Sequence, residues 1–501
     1  MTLLASLAVT LPLSLAIEAF EGGQVRPVGR RPADLAIRLA GYALLMAFWF
    51  EFSWRPWLAG FSVVLTVAIL SLISRLKRDI IGEPLVFSDF ALLRQVPRHP
   101  ELYYTRPLSD PRMAGPILIG LALVVLWYGV EPTILPADPS VAVLALLALP
   151  LTLLSIVALS GEGRLAQGLA RLFPAPALDA DVARYGLPAT IIGYALRWRA
   201  SRRAEHDPPP SRVSLGGTDA VVVVVQLESF VDPQRLGGAR LPLMDIIRTR
   251  AARYGRLRVP AHGAYTMRTE HAVLTGRGAD ELGFGVFDPY LTHGGSEPTS
   301  LAARARAAGF ETLFVHPFHR DFFNRAEVVT RLGFDRLIME ADFAGAPRVG
   351  PYVGDVALAE RVLAEVRART GPLFLFCVTM ENHGPWKPGR LPGIDDPLAQ
   401  YLTHVTHTGR AVEALIAGLE GLPATLCVFG DHAPALENCR PGFGGTTTDY
   451  AIFRFGATSE ASAAAEETPQ REDLDADALG RLLRSALDPS VRAPSVALPP
   501  S

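Results

Sequence analysis

The chain has 501 residues, a formal net charge of −2 and three cysteines. The balanced charge excludes a domain-wide basic face, so we expect no nucleic-acid partner. Three cysteines allow at most one disulfide bond plus a leftover thiol, which excludes a disulfide framework. The mean hydropathy is +0.24 although 20% of the residues are charged, so the apolar residues must be unevenly distributed.

Apolar residues are concentrated in the first 160 residues. Five segments there are almost free of charge, and most are long enough to cross about 30 Å of hydrocarbon. They are residues 3–17, 35–54, 57–74, 114–130 and 141–160. The first of them is short and is interrupted by Pro12. We predict a transmembrane domain of about five helices over residues 1–160.

Beyond residue 217 the pattern changes to apolar runs that alternate with helical patterns. The runs are DAVVVVVQL, ETLFVHP, LFLFCVT, TLCVFG and DYAIFRF. This alternation predicts a mostly parallel sheet with helices on both faces. The predicted fold is therefore an α-helical transmembrane domain followed by an α/β domain over residues 218–490. Residues 161–217 are predicted to be interfacial helices and a linker, and residues 491–501 a disordered tail.

Polar side chains follow several of the predicted strands. They are Glu228 in QLESF, Glu381, Asn382 and His383 in VTMENHGPW, and Asp431 and His432 in FGDHAP. Ligands and metals collect at the carboxyl ends of strands in open α/β sheets. The pair Asp431–His432 is thus a candidate half-site for a divalent cation, and Glu228 either contributes to it or is a solvated loop residue.

The segment HGAYTMRTEHAVLTG places hydroxyl groups at Thr266 and Thr269 just before an apolar helical run. A threonine at a helix N-terminus commonly caps a free backbone N–H group. The same location gathers N–H groups and the positive end of the helix dipole, which hold phosphate. A hydroxyl bound there to a divalent metal loses its proton more easily and attacks phosphorus. Cap and nucleophile are therefore the two alternatives for Thr266.

Five motifs occur in the order and approximate spacing of the lipoteichoic acid synthase and phosphoglycerol transferase family, part of the alkaline phosphatase/sulfatase superfamily. The motifs are QLESF with Glu228, YTMRTE with Thr266, RDFFNRAE with Asn324 and Arg325, ENHGPW with His383, and FGDHAP with Asp431 and His432. The chain resembles this family over its whole length, since membrane spans and a linker precede the α/β domain.

The resemblance implies a site for one divalent metal, usually Mn²⁺ or Mg²⁺. Its implied ligands are Glu228, Thr266, Asp431 and His432. Thr266 is also the implied nucleophile, which takes the phosphoglycerol group from phosphatidylglycerol as a phospho-threonine intermediate and releases diacylglycerol. Arg325 and His383 match positions that hold the phosphate and the glycerol. Without the resemblance, Arg325 fits a surface ion pair and His383 a hydrogen-bonded loop histidine.

Two departures from the family pattern lie near the implied head-group pocket. The run TMRTE keeps Thr266 and Glu270 but has Arg268 where an aspartate is common, and Phe322–Phe323 stands where a tryptophan often precedes the NR pair. They leave the reaction type unchanged but put the acceptor, and with it the donor, in question. The acceptor is an envelope glycan or a glycerophosphate polymer. The Ala- and Arg-rich composition resembles that of a Gram-negative source, which favours the glycan.

Three other functions compete with phosphoglycerol transfer. A phosphoethanolamine transferase shares the threonine and the metal but usually has several disulfides, which three cysteines cannot form. A sulfatase needs a C-x-P/A-x-R motif, and no cysteine of this chain begins one. A non-catalytic membrane protein is disfavoured because every implied metal ligand is retained.

The implied donor places the catalytic domain outside the cytoplasm. The head groups of the donor lipid, phosphatidylglycerol, lie in the outer leaflet of the bacterial inner membrane. We therefore expect a periplasmic or extracellular domain on a multi-pass anchor. Basic residues in two loops oppose this orientation by the positive-inside rule. They are Arg26, Arg30 and Arg31 in the first loop and Arg75, Lys77, Arg78, Arg94 and Arg98 in the third. We give the chemistry precedence over the charge count.

Overall fold

The structure is a computed structural model that describes residues 2–19, 31–92, 111–201, 221–292, 299–436, 446–456 and 469–487. The chain divides into two compact units. The first comprises Met1–Glu205 with Gly283–Phe287, and the second comprises His206–Leu282 with Asp288–Ser501. Residues 202–217 of the predicted linker and the predicted tail over 491–501 lie outside the described residues. The domain boundaries therefore stay predictions.

Helices form the first unit. They are α1 (Thr2–Ala19), α2 (Pro32–Ser53), α3 (Pro56–Ile81), α4 (Pro111–Val130), α5 (Pro139–Leu159), α6 (Gly163–Leu172), α7 (Leu178–Tyr185) and α8 (Leu187–Ser201). Among the described residues, five helices are long and apolar enough to cross a membrane, namely α1 to α5. The five apolar segments predicted as spans therefore each lie in a helix of sufficient length, and α1 continues through Pro12.

The outer surfaces of α4 and α5 are apolar. Val125 in α4 is 73% exposed and Leu144 in α5 is 71% exposed, and α5 buries none of its residues. Exposed apolar surfaces of this extent are unfavourable in water and favourable in hydrocarbon. These two helices therefore present the side chains expected of lipid-facing spans.

Small and polar residues line the contact between α1 and α3. Ser6 donates a hydrogen bond to the carbonyl of Pro56 at 2.6 Å. A Cβ atom at Gly60 would lie only 2.4 Å from Thr10 Oγ1, so no larger residue fits there without a shift. Close backbone approach through small residues is the usual basis of helix association in membranes.

Two connections of the helical unit lie at the same end of its bundle. Trp54 and Arg55 join α2 to α3, and residues 131–138 join α4 to α5. Arg55 Nε donates to the carbonyl of Glu131 at 2.6 Å, and the amide of Ile134 donates to the carbonyl of Trp54 at 2.8 Å. The spans therefore alternate in direction, with both connections on one side.

The second unit contains a large mixed sheet. Its strands are β1 (Val221–Leu227), β2 (Arg253–Arg258), β3 (Glu311–Val315), β4 (Arg336–Ile338), β7 (Leu373–Val378), β8 (Ala424–Gly430), β9 (Thr447–Phe455), β10 (Gln470–Arg471) and β11 (Leu474–Asp475), while β5 (Arg348–Val349) and β6 (Tyr352–Val353) form a separate hairpin. The order is β10-β2-β9-β8-β1-β7-β3-β4, and β11 pairs with β2. Only the pairings of β9 with β2 and β8 are antiparallel in the described sheet.

The second unit also contains seven described helices of seven or more residues. They are α9 (Pro242–Arg250), α10 (Thr266–Thr275), α11 (Leu301–Ala307), α12 (Arg325–Arg331), α13 (Asp355–Ala368), α14 (Pro397–Leu419) and α15 (Ala476–Leu487). Local chemistry fixes some starts: the Ser300 hydroxyl accepts from the amide of Ala303, and the Asp396 carboxylate accepts from the amide of Ala399 ahead of Pro397. Helices around a mostly parallel sheet confirm the predicted fold class.

Strand β1 lies at the centre of the sheet, and the candidate site begins at its carboxyl end. All of its residues are buried, and it pairs in parallel with β7 and β8. Leu227 is in register with Gly430, so Glu228 and Asp431 follow directly at neighbouring positions. The carboxyl ends of three parallel strands thus meet where the polar residues begin.

Candidate active site

Four side chains that the sequence singles out meet at the carboxyl ends of the central strands. His432 Nε2 lies 3.4 Å from Thr266 Oγ1, 3.5 Å from Glu228 Oε1 and 3.5 Å from Asp431 Oδ2. All four residues are buried, and Glu228 is 2% exposed. The alternative that Glu228 is a solvated loop residue is therefore wrong.

The distances and the unused atoms at this cluster fit a bound cation. Ligands that share a cation at about 2.0–2.2 Å lie roughly 3.0–3.6 Å from one another. Asp431 Oδ1 accepts from the amides of Ser229 and His432, both at 2.8 Å. Asp431 Oδ2 is buried and has no hydrogen-bond partner among the described residues. Glu228, Asp431 and His432 thus form a group that can hold a metal ion.

Electrostatics at the cluster also favour a cation. Burial, followed by the nearby charge of Asp431, raises the pKa of Glu228 well above its usual range. Two buried carboxylates in contact are unfavourable together unless a positive charge lies between them. A divalent cation at this point offsets both the burial and the mutual repulsion.

Backbone groups fix the orientation of the imidazole. His432 Nδ1 lies 3.2 Å from the carbonyl of Ala433, which can only accept a hydrogen bond. The ring proton is therefore on Nδ1, and the lone pair of Nε2 points to the cluster. Ser229, which the sequence did not single out, donates to Glu228 Oε1 at 2.9 Å. Its backbone has a φ of 54°, in the left-handed region that a serine rarely adopts.

Thr266 begins helix α10, directly after the residue at the N-cap position. That position is occupied by Tyr265, whose φ is 61° and whose side chain makes no capping bond. The cap alternative for Thr266 is therefore wrong, and its hydroxyl faces His432 instead. Thr269, one turn further on, donates to the carbonyl of Asp431 at 2.7 Å. Helix α10 thus contributes one hydroxyl to the cluster and another that holds the Asp431 backbone.

Arg325 is buried at the start of α12 and belongs to a polar chain. It is 2% exposed, so the alternative of a surface ion pair is wrong. Its Nη2 donates to Glu270 Oε2 at 3.1 Å, and its Nη1 lies 2.6 Å from His316 Nε2. The hydroxyl of Tyr290 donates to the other oxygen of Glu270. Arg325 Nε is buried without a partner among the described residues, which leaves donors for an anion.

His316 is a neutral acceptor for this arginine. Its Nδ1 lies 3.1 Å from the carbonyl of Val378 and therefore carries the proton. Burial, followed by the charge of Arg325, lowers the pKa of His316 well below its usual range. His316 was not predicted as a site residue from the sequence, although it directly follows β3 just as Glu228 directly follows β1.

His383 presents one free nitrogen. Its Nδ1 donates to the carbonyl of Gly384 at 2.6 Å, which leaves the lone pair of Nε2 to accept a hydrogen bond. Burial is the largest of the effects that lower the pKa of His383 to about 3, although its hydrogen bond to the carbonyl of Gly384 acts in the opposite direction. The imidazole is therefore neutral at neutral pH. The loop-histidine alternative accounts for Nδ1 and leaves the role of Nε2 as a prediction.

The two described cysteines lie away from this chemistry. Cys377 and Cys427 are free and buried in β7 and β8. Burial raises the pKa of the Cys377 thiol well above its usual range, which removes its nucleophilic character at neutral pH. Burial in the sheet gives both thiols a structural role, and Cys439 lies outside the described residues.

A buried hydroxyl beside a metal-binding group at the carboxyl ends of a mostly parallel sheet defines an enzyme site of the alkaline phosphatase/sulfatase type. A family model described as Sulfatase matches residues 220–470. The capsular polysaccharide biosynthesis protein RkpI of Rhizobium meliloti is 33% identical over 473 residues, which cover 90% of this chain and 87% of that protein.

A putative cyclic beta-1,2-glucan modification protein of Rhizobium meliloti is 27% identical over 275 residues. The match covers 52% of this chain and 42% of that protein. Among solved structures, the Streptococcus pyogenes phosphoglycerol transferase GacH in complex with sn-glycerol-1-phosphate is 20% identical, with a TM-score of 0.44. The match covers 54% of this chain and 74% of the GacH chain.

The chain belongs to the sulfatase family. This membership confirms the superfamily that the five sequence motifs predict. The family name does not assign sulfatase chemistry, because the residue beside the metal-binding group is Thr266 and no cysteine of the chain begins the C-x-P/A-x-R motif.

Proposed function

We propose that this protein transfers a phosphoglycerol group from phosphatidylglycerol to a glycan of the cell envelope, through a phospho-threonine formed at Thr266. One observation carries the proposal. The Thr266 hydroxyl is buried at the N-terminus of α10, makes no cap, and lies 3.4 Å from His432 Nε2 in a group that can hold a metal ion.

In the first step, Thr266 Oγ1 attacks the phosphorus of the donor lipid. The Oγ1–P bond forms, the bond from phosphorus to the diacylglycerol oxygen breaks, and the threonine proton passes to that oxygen. The positive end of the α10 dipole favours the negatively charged phosphate. The products are diacylglycerol and a phosphoglycerol ester of Thr266.

Glu228, Thr266, Asp431 and His432 are the proposed holders of one divalent cation, which lowers the pKa of the hydroxyl and offsets charge on the phosphate when bound. Three oxygen ligands and one imidazole suit Mn²⁺ or Mg²⁺ better than a cation that prefers thiolates.

Arg325 and His383 are proposed to bind the head group. The guanidinium is held on two sides by Glu270 and His316, so its remaining donors have a fixed direction, which suits the oxygens of a phosphate. The neutral His383 offers Nε2 as an acceptor for a glycerol hydroxyl.

In the second step, a hydroxyl of the acceptor attacks the phosphorus of the ester. The new O–P bond forms, the bond to Thr266 Oγ1 breaks, and the threonine recovers a proton. A glycan supplies such hydroxyls, and the relative named for capsular polysaccharide biosynthesis supports this class of acceptor over a growing glycerophosphate polymer.

The test uses the full chain in detergent with labelled phosphatidylglycerol and, separately, labelled phosphatidylethanolamine. We expect diacylglycerol from the first lipid only, together with a phosphoglycerol adduct on the peptide that contains Thr266. Excess chelator should abolish both products, and Mn²⁺ should restore them.

Two results contradict the proposal in different ways. Release of diacylglycerol from phosphatidylethanolamine alone would assign the competing phosphoethanolamine transfer. Full turnover in excess chelator would remove the metal from the reaction.

A further inference from the structure

A second group of ligand side chains lies beyond the carboxyl end of β7. Glu381 follows that strand, and His404 and His407 lie one turn apart on α14. Glu381 Oε1 is 2.8 Å from His404 Nδ1 and 2.7 Å from His407 Nδ1. One nitrogen or oxygen atom from each residue lies within 4.8 Å of the others. None of these residues belongs to the cluster around Thr266.

The carboxylate of this second group is held in place from behind. Glu381 Oε2 accepts from the amide of Asp355 at 2.8 Å, so only Oε1 faces the two imidazoles. Asp355 in turn accepts from the Thr408 hydroxyl at 2.7 Å. Outer hydrogen bonds of this kind orient the ligands of protein metal sites.

The group also has the charge and access that a cation site requires. A second buried carboxylate, that of Asp355, lies directly behind Glu381. His404 is buried, whereas the side chain of His407 is 27% exposed. A cation can therefore enter past His407, and water or a further ligand can complete its coordination.

The two contacts between Glu381 and the imidazoles are short. Separations of 2.7 and 2.8 Å are those of N–H···O hydrogen bonds, whereas the 3.4–3.5 Å separations around His432 are those of atoms that share a cation. A cation at the second group must replace the protons between the imidazoles and Glu381, and the three side chains must move apart by roughly half an ångström. The partial exposure of His407 allows that movement.

We propose that Glu381, His404 and His407 form a second divalent-cation site, selective for ions such as Zn²⁺ that prefer two imidazoles and one carboxylate. This site is independent of the phosphoglycerol-transfer proposal, because no atom of it takes part in that reaction. The bound cation would tie α14 to the loop that follows β7.

The experiment measures metal content of the full chain in detergent, stripped with chelator and then dialysed against Zn²⁺. We expect about two zinc ions per chain in the unmodified protein. Either His407→Ala or Asp431→Ala should bind about one, since each variant lacks a ligand of one of the two sites. The double variant should retain none. Replacement of Zn²⁺ by Co²⁺ should give visible absorption bands, part of which His407→Ala removes.

His319→Ala is the matched control. His319 Nδ1 pairs with Glu340 Oε2 at 2.8 Å, a histidine–carboxylate contact outside both groups. Its replacement should leave the zinc content unchanged. Thermal unfolding of metal-free His407→Ala tests whether this variant remains folded.

The proposal is overturned if the unmodified protein binds one zinc ion and folded His407→Ala binds the same amount. It is also overturned if Asp431→Ala alone removes all bound zinc, since the second group would then hold none. Either result would leave Glu381, His404 and His407 as a hydrogen-bonded cluster.

Discussion

Thr266 and Thr269 are one helical turn apart and have different partners. The first faces His432 Nε2, and the second donates to the carbonyl of Asp431. Thr266→Ala should yield no adduct and no diacylglycerol, because the proposed nucleophile is gone. Thr269→Ala should still form the adduct, while losing about 0.5–1.5 kcal/mol of stability with its hydrogen bond. Mass spectrometry of the labelled peptide and thermal unfolding separate the two effects. An adduct in Thr266→Ala would show that the nucleophile is misassigned.

Arg325 and Glu270 form an ion pair that is almost inaccessible to water. Arg325→Ala leaves the Glu270 carboxylate buried without its cation, so we expect a loss of about 3–5 kcal/mol in the free energy of unfolding. Adding Glu270→Gln should recover part of that loss, because it removes the uncompensated charge.

A control for this pair lies on the same helix. Arg331 contacts Glu327 on the exposed face of α12, and Arg331→Ala should cost at most about 1 kcal/mol. Chemical unfolding of the three variants checks these values. Equal losses for Arg325→Ala and Arg331→Ala would show that burial of the first pair has little energetic weight.

The residues of the site were predictable where they carry a motif or follow a strand. Glu228, Asp431 and His432 follow strands that are apolar enough to be recognised in the sequence. Ser229 and Tyr290 were not predicted, because their roles depend on partners that only the fold brings near, namely Glu228 and Glu270. A hydroxyl that supports a buried carboxylate leaves no pattern in its own segment.

At the scale of elements, the site depends on the close approach of β1 and β8. A Cβ atom at Gly430 would lie 2.1 Å from the carbonyl oxygen of Phe230, so only glycine fits at the end of β8. Gly430→Ala should destabilise the domain by about 1–3 kcal/mol and shift Asp431, which lowers metal content as well. Gly371→Ala, in open space ahead of β7, is the control that should change neither. Unchanged metal content in Gly430→Ala would contradict this dependence.

The long apolar strands were predictable, and the short ones were not. Strands β1, β7 and β8 are buried throughout and therefore form continuous apolar runs. In β2 the sequence RYGRLR contains three arginines and no continuous apolar run. Strands β10 and β11 have two residues each, so only their pairing with β2 defines them as strands. Strand β9 runs antiparallel to both of its neighbours, β2 and β8. Nothing in the sequence of β9 itself indicates this direction.

At the scale of the whole molecule, the shared end of two helical connections gives a topological prediction. Connections 54–55 and 131–138 contact each other, and five spans place the residues after α5 on the opposite side. With a cytoplasmic N-terminus, both connections are cytoplasmic and the catalytic domain is periplasmic or extracellular. Reporter enzymes inserted in 131–138 and fused after residue 501 should therefore be active on opposite sides of the membrane.

The basic residues of the first and third loops make this test informative. By the positive-inside rule they would lie in the cytoplasm, which requires the reverse orientation. A cytoplasmic reporter signal after residue 501 would assign that orientation and contradict the proposed access to the outer leaflet.

Five crossings, the number of candidate spans among the described residues, would have a further consequence for the energy of the reaction. A catalytic domain outside the cytoplasm has no nucleoside triphosphate or activated sugar nucleotide available to it. The proposed transfer needs neither, because each step breaks one phosphate ester of an alcohol and forms another, so the equilibrium constant of the exchange is close to unity. The direction of modification is then set by the supply of anionic lipid and by the removal of diacylglycerol from the outer leaflet. Membrane composition, rather than nucleotide supply, would control how far the acceptor is modified.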